Sequence, residues 1–239
     1  MGIVIESQTF VGVASSDAGS RAQVWLPAGF TLTGGGAFDL GRGEASTLTA
    51  CCPTRDEDGK YTGWAAAGSC GEAPMAVYAV GIRILKDGVP VRIDQQVFCA
   101  TSALVSDPGV TVRLGAGWIG TGGGAQDNHA CAVNANLVTA NYPLLGADGQ
   151  ICGWSASARA GEAAASARVT AFVVGIRTVP PIALDAKILA SCLRPAFPST
   201  PMAPQQGQVS VAVGARVGGH GNGFAASHGA ACAAMLETA

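Results

Sequence analysis

The chain has 239 residues and a formal net charge of −2, and only 13% of its residues are charged, whereas soluble domains usually have about a quarter. No basic stripe or polybasic run is present, which argues against phosphate-driven nucleic-acid binding. No run reaches the roughly 18 apolar residues of a membrane-spanning helix, and the first residues lack the basic start and apolar stretch of a secretory signal. A surface with so few charges is prone to self-association, which would make the protein a homo-oligomer. A compact neutral monomer is the alternative.

The first predicted element is a strand at the N-terminus, where GIVI at 2–5 is followed by QTF at 8–10. The same pattern recurs as GIRI at 81–84 followed by QVF at 96–98. This echo predicts that the N-terminal strand lies where the last strand of a third repeat would lie, which would close a ring by joining the two ends of the chain.

A repeated unit of roughly ninety residues runs along the chain, and self-similarity at a fixed offset indicates an internally repeated fold. Three glycines within a strand pattern mark a bulge or a close backbone approach, and Trp64 would cover such a bare patch. Asp58-Gly59 and Asp87-Gly88 predict hairpins, because Asp-Gly suits turns with positive φ. The landmarks of the first copy are VWLPAGF at 24–30, TGGGA at 33–37, LTA at 48–50, Pro53, DG at 58–59, GW at 63–64 and a strand-like run at 76–84.

The second copy repeats these landmarks at a growing offset. The offset is 88 between Gly34 and Gly122 and 94 between Val80 and Val174, as expected when insertions fall in surface loops. The second Asp-Gly turn and the second Gly-Trp pair stand at 148–149 and 153–154.

A third copy is predicted from Val209, which aligns with Val110 at an offset of 99, to the last residue, Ala239. It lacks the half of the unit that carries the Pro, the Asp-Gly turn and the Gly-Trp pair. The Ala-rich stretches at 156–166 and 225–236 are compatible with short helices, but the repeat favours strand and loop.

Strand signals dominate and long helical periodicity is absent, so the sequence predicts an all-β fold. We expect a pseudo-threefold, internally repeated antiparallel arrangement, prism-like or barrel-like. Tandem β-sandwich units are the alternative. The repeat sets the expected units at 1–105 with the N-terminal strand, 106–205, and a truncated 206–239, together in one compact domain.

The unit resembles repeats of secreted and surface proteins of bacteria, particularly actinobacteria. Their frame runs CPAG, GGGA, a Pro before a turn, GW and VxAYAxC, and it is followed here by LPAG at 26–29, GGGA at 34–37, Pro53, GW at 63–64 and VYAVG at 77–81. The second copy follows it too. The resemblance implies an extracellular or cell-surface setting and defines no activity.

Both cysteines of that frame are replaced in each copy. Leu26 and Gly81 stand in their places in the first copy, and Leu114 and Gly175 in the second. The loss of both cysteines together implies that this chain does without the covalent link between them, which is consistent with a different redox setting.

The eight cysteines show no C-x-x-C spacing and no Cys/His cluster, so no metal site is expected. Bridges Cys51–Cys70 and Cys131–Cys152 would each clip neighbouring strands, and small buried thiols are the alternative. The vicinal pair formed by Cys51 and Cys52 has the composition of a redox pair, although adjacent side chains on a strand face opposite ways.

Residues present in each copy favour a structural role, whereas a catalytic group needs to occur only once. The two repeated tryptophans are interpreted as core packing or as sugar-stacking platforms beside polar turns. Glu72 and Glu162, with Arg83 and Arg177, indicate ion pairs or exposed charges. The candidate ligand-binding residues are Trp64, Trp154, Asp58, Asp148, Asp127, Asn128 and His129.

Polar residues of the third copy, His220, Asn222 and His228, would form a catalytic or metal site only if the fold assembled them. Loop polarity is the simpler interpretation. The sequence shows no nucleophile elbow and no phosphate loop, so we assign no catalytic residue and expect no cofactor.

Two functions from different classes remain. In the first, the repeats present equivalent shallow sites for a glycan or another surface ligand, as a non-catalytic multivalent binding module. In the second, the protein is a self-assembling structural or surface protein whose incomplete third repeat pairs with another chain.

Overall fold

The computed structural model describes residues 2–14, 21–39, 48–68, 75–128, 137–159, 166–191, 209–216 and 230–238. In these ranges the regular elements are all β-strands and no helix occurs, which confirms the predicted all-β class. The strands are β1 (Ile3–Ala14), β2 (Arg21–Trp25), β3 (Thr31–Asp39), β4 (Leu48–Arg55), β5 (Tyr61–Gly68), β6 (Met75–Lys86), β7 (Val89–Pro90), β8 (Arg92–Thr101), β9 (Gly109–Arg113), β10 (Ile119–Asp127), β11 (Leu137–Leu145), β12 (Ile151–Arg159), β13 (Val169–Val179), β14 (Leu184–Ser191), β15 (Val209–Arg216) and β16 (Ala230–Thr238).

The strands form three open antiparallel sheets. The first has the order β1-β6-β3, with β7 also pairing with β6. The second has the order β2-β5-β4-β10-β13-β8, and the third has the order β14-β16-β15-β11-β12-β9. Each order starts and ends on different strands, so no sheet closes on itself within the residues that the structure describes.

Three strand pairs share one register. β3 on β6, β10 on β13 and β15 on β16 each contain a single shift, and after it Ala37, Ala125 and Ala215 face Val77, Ala171 and Ala231 respectively. The shifts lie between Leu32 and Gly34, between Gly120 and Gly122, and between Ser210 and Ala212. The threefold sequence repeat stays a prediction; the structure adds that these three strand pairs have the same register.

The pairing of β15 differs from the one that the predicted alignment of the third copy gives it. Val209 was aligned with Val110 of β9, but β15 pairs with β16 as β10 pairs with β13, so Val209 stands at the position of Ile119. β14 flanks β16 as β8 flanks β13, although β14 lies before the predicted boundary at 205/206. β15, β16 and β14 therefore have the same pairing order as β10, β13 and β8, and the structure describes no strand between β15 and β16.

The two six-stranded sheets each cross a predicted unit boundary at a short ladder, which we call a seam. At the first seam β4 pairs with β10, with Ala125 opposite Cys51. At the second seam β11 pairs with β15, with Ala215 opposite Asn141. The units therefore share sheets, unlike the tandem sandwiches considered as the alternative.

The N-terminal strand does not close a ring by pairing with the third set. β1 pairs along its whole length with β6, from Ile3 opposite Lys86 to Ala14 opposite Met75. The predicted ring closure is wrong, because β1 takes the place beside β6 that β8 takes beside β13.

Among the residues with described side chains, the core has two buried clusters, and each contains residues from both of the first two predicted units. One surrounds Trp154 and includes Ile82 and Ile84 of β6, and the other surrounds Trp64 and includes Val174 of β13. Between them, the buried hydroxyl of Thr121 donates to the Thr33 carbonyl at 2.8 Å. The bulged strands β3 and β10 are thus joined directly.

The Asp-Gly pairs end hairpins, as predicted, but with two geometries. Asp87 and Gly88 both have positive φ, as a two-residue type I′ turn requires. At the other two pairs only Gly59 and Gly149 have positive φ, and the Gly59 N–H donates to the Asp56 carbonyl at 3.0 Å in a longer turn. The Ala-rich stretches at 156–159 and 230–236 are strand where they are described.

Candidate functional site

The tryptophans proposed as sugar platforms are enclosed. Trp64 is 0% exposed and Trp154 is 2% exposed. A Cβ on Gly35 would overlap the Trp64 ring, and one on Gly123 would overlap the Trp154 ring. This confirms that each indole covers the middle of a glycine triplet, so neither ring offers a face to a glycan.

Each indole N–H finds an internal partner. Trp64 Nε1 donates to Cys51 Sγ at 3.3 Å, and Trp154 Nε1 donates to Asn141 Oδ1 at 2.5 Å. Cys51 and Asn141 are also the seam residues opposite Ala125 and Ala215. The repeat did not reveal this equivalence, because a thiol and an amide look unrelated in sequence.

Asp58 and Asp148 lie exposed in hairpin turns, and their described contacts are local. Asp148 Oδ1 accepts the N–H of Gln150 at 3.1 Å, and Asp58 is 3.9 Å from Lys60 Nζ. Nearby, hydrogen bonding from the Lys60 N–H holds the pKa of Asp56 below its ordinary value. These turns and the enclosed indoles do not form one platform.

Asp127 and Asn128 end β10. The Asn128 N–H donates to the Arg168 carbonyl at 3.0 Å, and its side-chain amide donates to Thr170 Oγ1. Thr170 Oγ1 in turn lies 2.7 Å from Thr101 Oγ1. Asn128 therefore ends the β10–β13 ladder. His129 lies outside the described residues, as do Glu72, Glu162, His220, Asn222 and His228.

Four cysteines are free thiols in the structure: Cys51, Cys52, Cys99 and Cys152. The bridges proposed from Cys51 and from Cys152 are therefore not formed, and their partners Cys70 and Cys131 lie outside the described residues.

Burial makes the vicinal thiols poor nucleophiles. It raises the pKa of Cys51 to about 11 and that of Cys52 to about 12. Since the thiolate is the reactive species, this pair lacks the chemistry of a redox or nucleophilic centre.

A repeated surface cluster was missed by sequence reasoning. Arg177 lies 3.3 Å from Asp94 and 4.6 Å from the centroid of the Trp118 ring, which packs edge-on against Phe98. Partial desolvation raises the pKa of Asp94, but hydrogen bonds from Arg92 and Arg177 outweigh it and lower that pKa below its ordinary value.

The first copy has the same cluster. Arg83 pairs with Glu6 and lies over Phe30, which packs edge-on against Phe10. Arg83 and Arg177 therefore do form ion pairs, with acids that precede them on neighbouring strands. The signal in the sequence was the common offset of 88 between Glu6 and Asp94 and between Phe10 and Phe98.

The two positions that hold cysteine in the resembled repeats lie in contact with each other in both copies. A Cβ on Gly81 would lie 3.0 Å from Leu26 Cδ1, and one on Gly175 would lie 2.9 Å from Leu114 Cδ2. In both copies, a leucine and a glycine thus occupy the place where the resemblance implies a covalent link between two cysteines.

The most distinctive site is a strand edge. β10 and β15 each pair on one side with the central strand of their set and on the other side with a seam strand. β3 pairs with β6, and no strand in the described ranges pairs with its other side. We call that side the β3 edge. Its position equivalent to the two seams is Ala37.

Comparison with known proteins adds no family. A scan against protein-family models finds no match, and a search of curated proteins finds no matching sequence. Within the described residues, no group of three or more His, Cys, Asp and Glu side chains is placed to hold a metal ion. The same residues include no helix long and apolar enough to cross a membrane.

Proposed function

We propose that the protein is a non-catalytic assembly protein that joins another chain by strand pairing at the β3 edge. The observation that carries this proposal is the contrast between β3 and its two equivalents. β10 and β15 are sealed by β4 and β11, whereas β3 has no such neighbour among the described strands. An unpaired row of N–H and C=O groups is a template for another strand.

The surface of the first sheet also supports association. Val11 and Val13 of β1, at the opposite edge of the same sheet, are 61% and 63% exposed. A chain with 13% charged residues does little to keep such apolar surface apart from another molecule.

Glycan binding has weaker support, because both indoles expected to stack on a sugar are enclosed. The resemblance to bacterial surface repeats fits an assembly protein as well as it fits a binding module.

The proposal is tested with proline at the seam position of β3. Successive N–H groups of a strand point to opposite sides, so one of Ala37→Pro and Phe38→Pro removes only an outward N–H. We expect wild-type protein to associate as its concentration rises in sedimentation equilibrium. The proline variant that keeps the wild-type Tm should stay monomeric at the same concentrations.

Matched controls lie on the sealed strand. Ala125→Pro and Gln126→Pro should both lower the Tm, because β10 is paired on each side. A wild-type protein that is monomeric at every concentration would refute self-assembly, and so would association that persists unchanged in the stable β3 variant.

A further inference from the structure

One tryptophan of the second sheet lies at the surface. The side chains of β2 alternate between exposed and buried, and Trp25 stands at an exposed position. It is 40% exposed, and no other large hydrophobic side chain of β2, β4 and β5, which the structure describes completely, is exposed. Trp64 and Trp154 donate their N–H groups inside the core, but no described residue accepts that of Trp25.

The Trp25 indole lies across the neighbouring strand β5. A Cβ on Gly63 would lie 2.5 Å from Trp25 Cε3 and 2.9 Å from Cζ3, so the six-membered ring fills the space that a side chain at Gly63 would take. One side of the ring therefore rests on the backbone of β5. The exposed part is the opposite side and the rim, which gives the surface a flat aromatic face held in place by the sheet.

Trp25 belongs to a row of three residues across the sheet. It lies opposite Gly63 of β5, and Gly63 lies opposite Thr54 of β4, so all three are on one face. Neighbouring strands are about 4.8 Å apart, which places Thr54 beside the far edge of the indole. Gln23 shares this face, because it stands two positions before Trp25 on the same strand. The Gln23 amide and the Thr54 hydroxyl are neutral groups that donate and accept hydrogen bonds.

The second copy has no equivalent of this row. Arg113 stands on one side of Gly153 where the first copy has Trp25, and Leu144 stands on the other side. The Arg113 guanidinium lies 3.6 Å from Cys152 Sγ. The same strand arrangement is thus built without an indole at this position, which favours a role in binding for Trp25 over a role in packing.

We propose that Trp25, Gln23 and Thr54 form a binding site for a neutral glycan made of flat, equatorially substituted sugar rings. The broad face of such a ring carries C–H groups that stack on an aromatic side chain, while the hydroxyls around it need hydrogen-bond partners. The indole supplies the face. Its N–H, the amide and the hydroxyl supply partners of matching, uncharged chemistry. This function is separate from strand pairing at the β3 edge.

The surroundings favour a sugar over a macromolecule. The energetic centre of a protein interface lies in an apolar patch that excludes water, whereas the neighbours of this indole on its face are a glycine, a glutamine and a threonine. Nucleic acid requires a basic footprint, which a chain with a net charge of −2 and no basic stripe lacks. The turns beside the site, at 26–30 and 56–60, both belong to the described residues.

The test follows the indole N–H cross-peaks of 15N-labelled wild-type protein. The chain has 4 tryptophans, and the cross-peak that is missing from Trp25→Arg or Trp25→Phe protein belongs to Trp25. Cellohexaose or chitohexaose should move this cross-peak saturably. We expect a Kd on the order of 1 mM, because one stacked ring yields little beyond the cost of association. The cross-peak of Trp118, which is half-buried, should stay in place.

Two variants form a matched pair, because each introduces the residue that the other copy has. Trp25→Arg copies Arg113, and Trp118→Phe copies Phe30. Each is run in native gels with and without hydroxyethyl cellulose or glycol chitin, and far-UV circular dichroism checks the fold. Wild-type and Trp118→Phe protein should be retarded by the polysaccharide, whereas Trp25→Arg should lose at least about tenfold in affinity.

A Trp25 cross-peak that neither sugar moves overturns the inference, and so does equal retardation of all three proteins. If the cross-peak moves with protein concentration and not with sugar, the indole is an interface between copies, and the glycan site is rejected. These readings do not involve β3, whose proline variants test the proposed function separately. Glycan binding by a protein that is monomeric at every concentration would therefore support this site and reject self-assembly.

Discussion

At the scale of single residues, the glycine triplets and the two buried tryptophans depend on each other. A glycine within a strand weakens the strand and has no side chain to pack. Here the missing side chains make room for the indoles at Gly35 and Gly123. Each indole then satisfies its N–H inside the core, through Cys51 or Asn141. The glycines lower the intrinsic strand propensity, but they allow a large aromatic side chain to be buried against each strand.

We therefore expect Gly35→Ala and Gly123→Ala to lower the free energy of unfolding by about 1–3 kcal/mol each, as overpacking does in a well-filled core. Urea unfolding followed by tryptophan fluorescence measures this change. The matched control is Gly109→Ala in β9, where the new Cβ would lie 3.4 Å from Ser157 Oγ and stability should hardly change. Equal losses in all three variants would contradict the explanation.

At the scale of strands and turns, the contact between Leu26 and Gly81 joins the turn after β2 to β6. The same contact joins Leu114, after β9, to Gly175 of β13. The resemblance to bacterial surface repeats puts two cysteines at these positions. The two positions lie close together in both copies, so a disulfide between them can be tested directly.

The double substitution Leu26→Cys with Gly81→Cys should form a disulfide on mild oxidation. Closing a loop of this length stabilises by roughly 2–4 kcal/mol in the chain-entropy model, reduced here by the loss of leucine packing. Mass spectrometry of alkylated protein and the Tm with and without reductant measure both effects. Leu114→Cys with Gly175→Cys is the matched pair in the second copy. Folded protein that keeps both new thiols free would contradict the correspondence.

At the scale of the whole molecule, the seams and the exchanged core residues tie the predicted units together. β4 extends the sheet that contains β10 and β13, and β11 extends the sheet that contains β15 and β16. Ile82 packs in the cluster around Trp154, while Val174 packs in the cluster around Trp64. Neither half buries its core without the other.

We expect one cooperative unfolding transition. Two variants report on the two clusters: one retains Trp64 and the other retains Trp154, with the remaining tryptophans replaced by phenylalanine. For each variant, the urea midpoint measured by tryptophan fluorescence should equal the midpoint measured by far-UV circular dichroism on the same protein. A reporter whose midpoint separates from the circular dichroism of the same protein would show that the units unfold independently.

Much of the architecture followed from the sequence by itself. Runs rich in β-branched and aromatic residues predicted strands, and Asp-Gly pairs predicted hairpins, because strand propensity and positive φ are local properties. The recurrence of a tryptophan after each glycine triplet predicted the cover that each indole provides. These features depend on residues within one unit, so the chain order carries them.

Only the tertiary structure decided the rest. The sequence favoured core packing for Trp64 but left a sugar platform open, since the exposure of the indole depends on what β3 and β4 place around it. The predicted third copy was aligned with β9, whereas the register of β15 on β16 matches that of β10 on β13. Seam pairing joins residues far apart in the chain, such as Cys51 and Ala125, and no local pattern encodes it. For that reason the sequence by itself determined the strands, while the fold determined that β3, among the described strands, pairs on one side only.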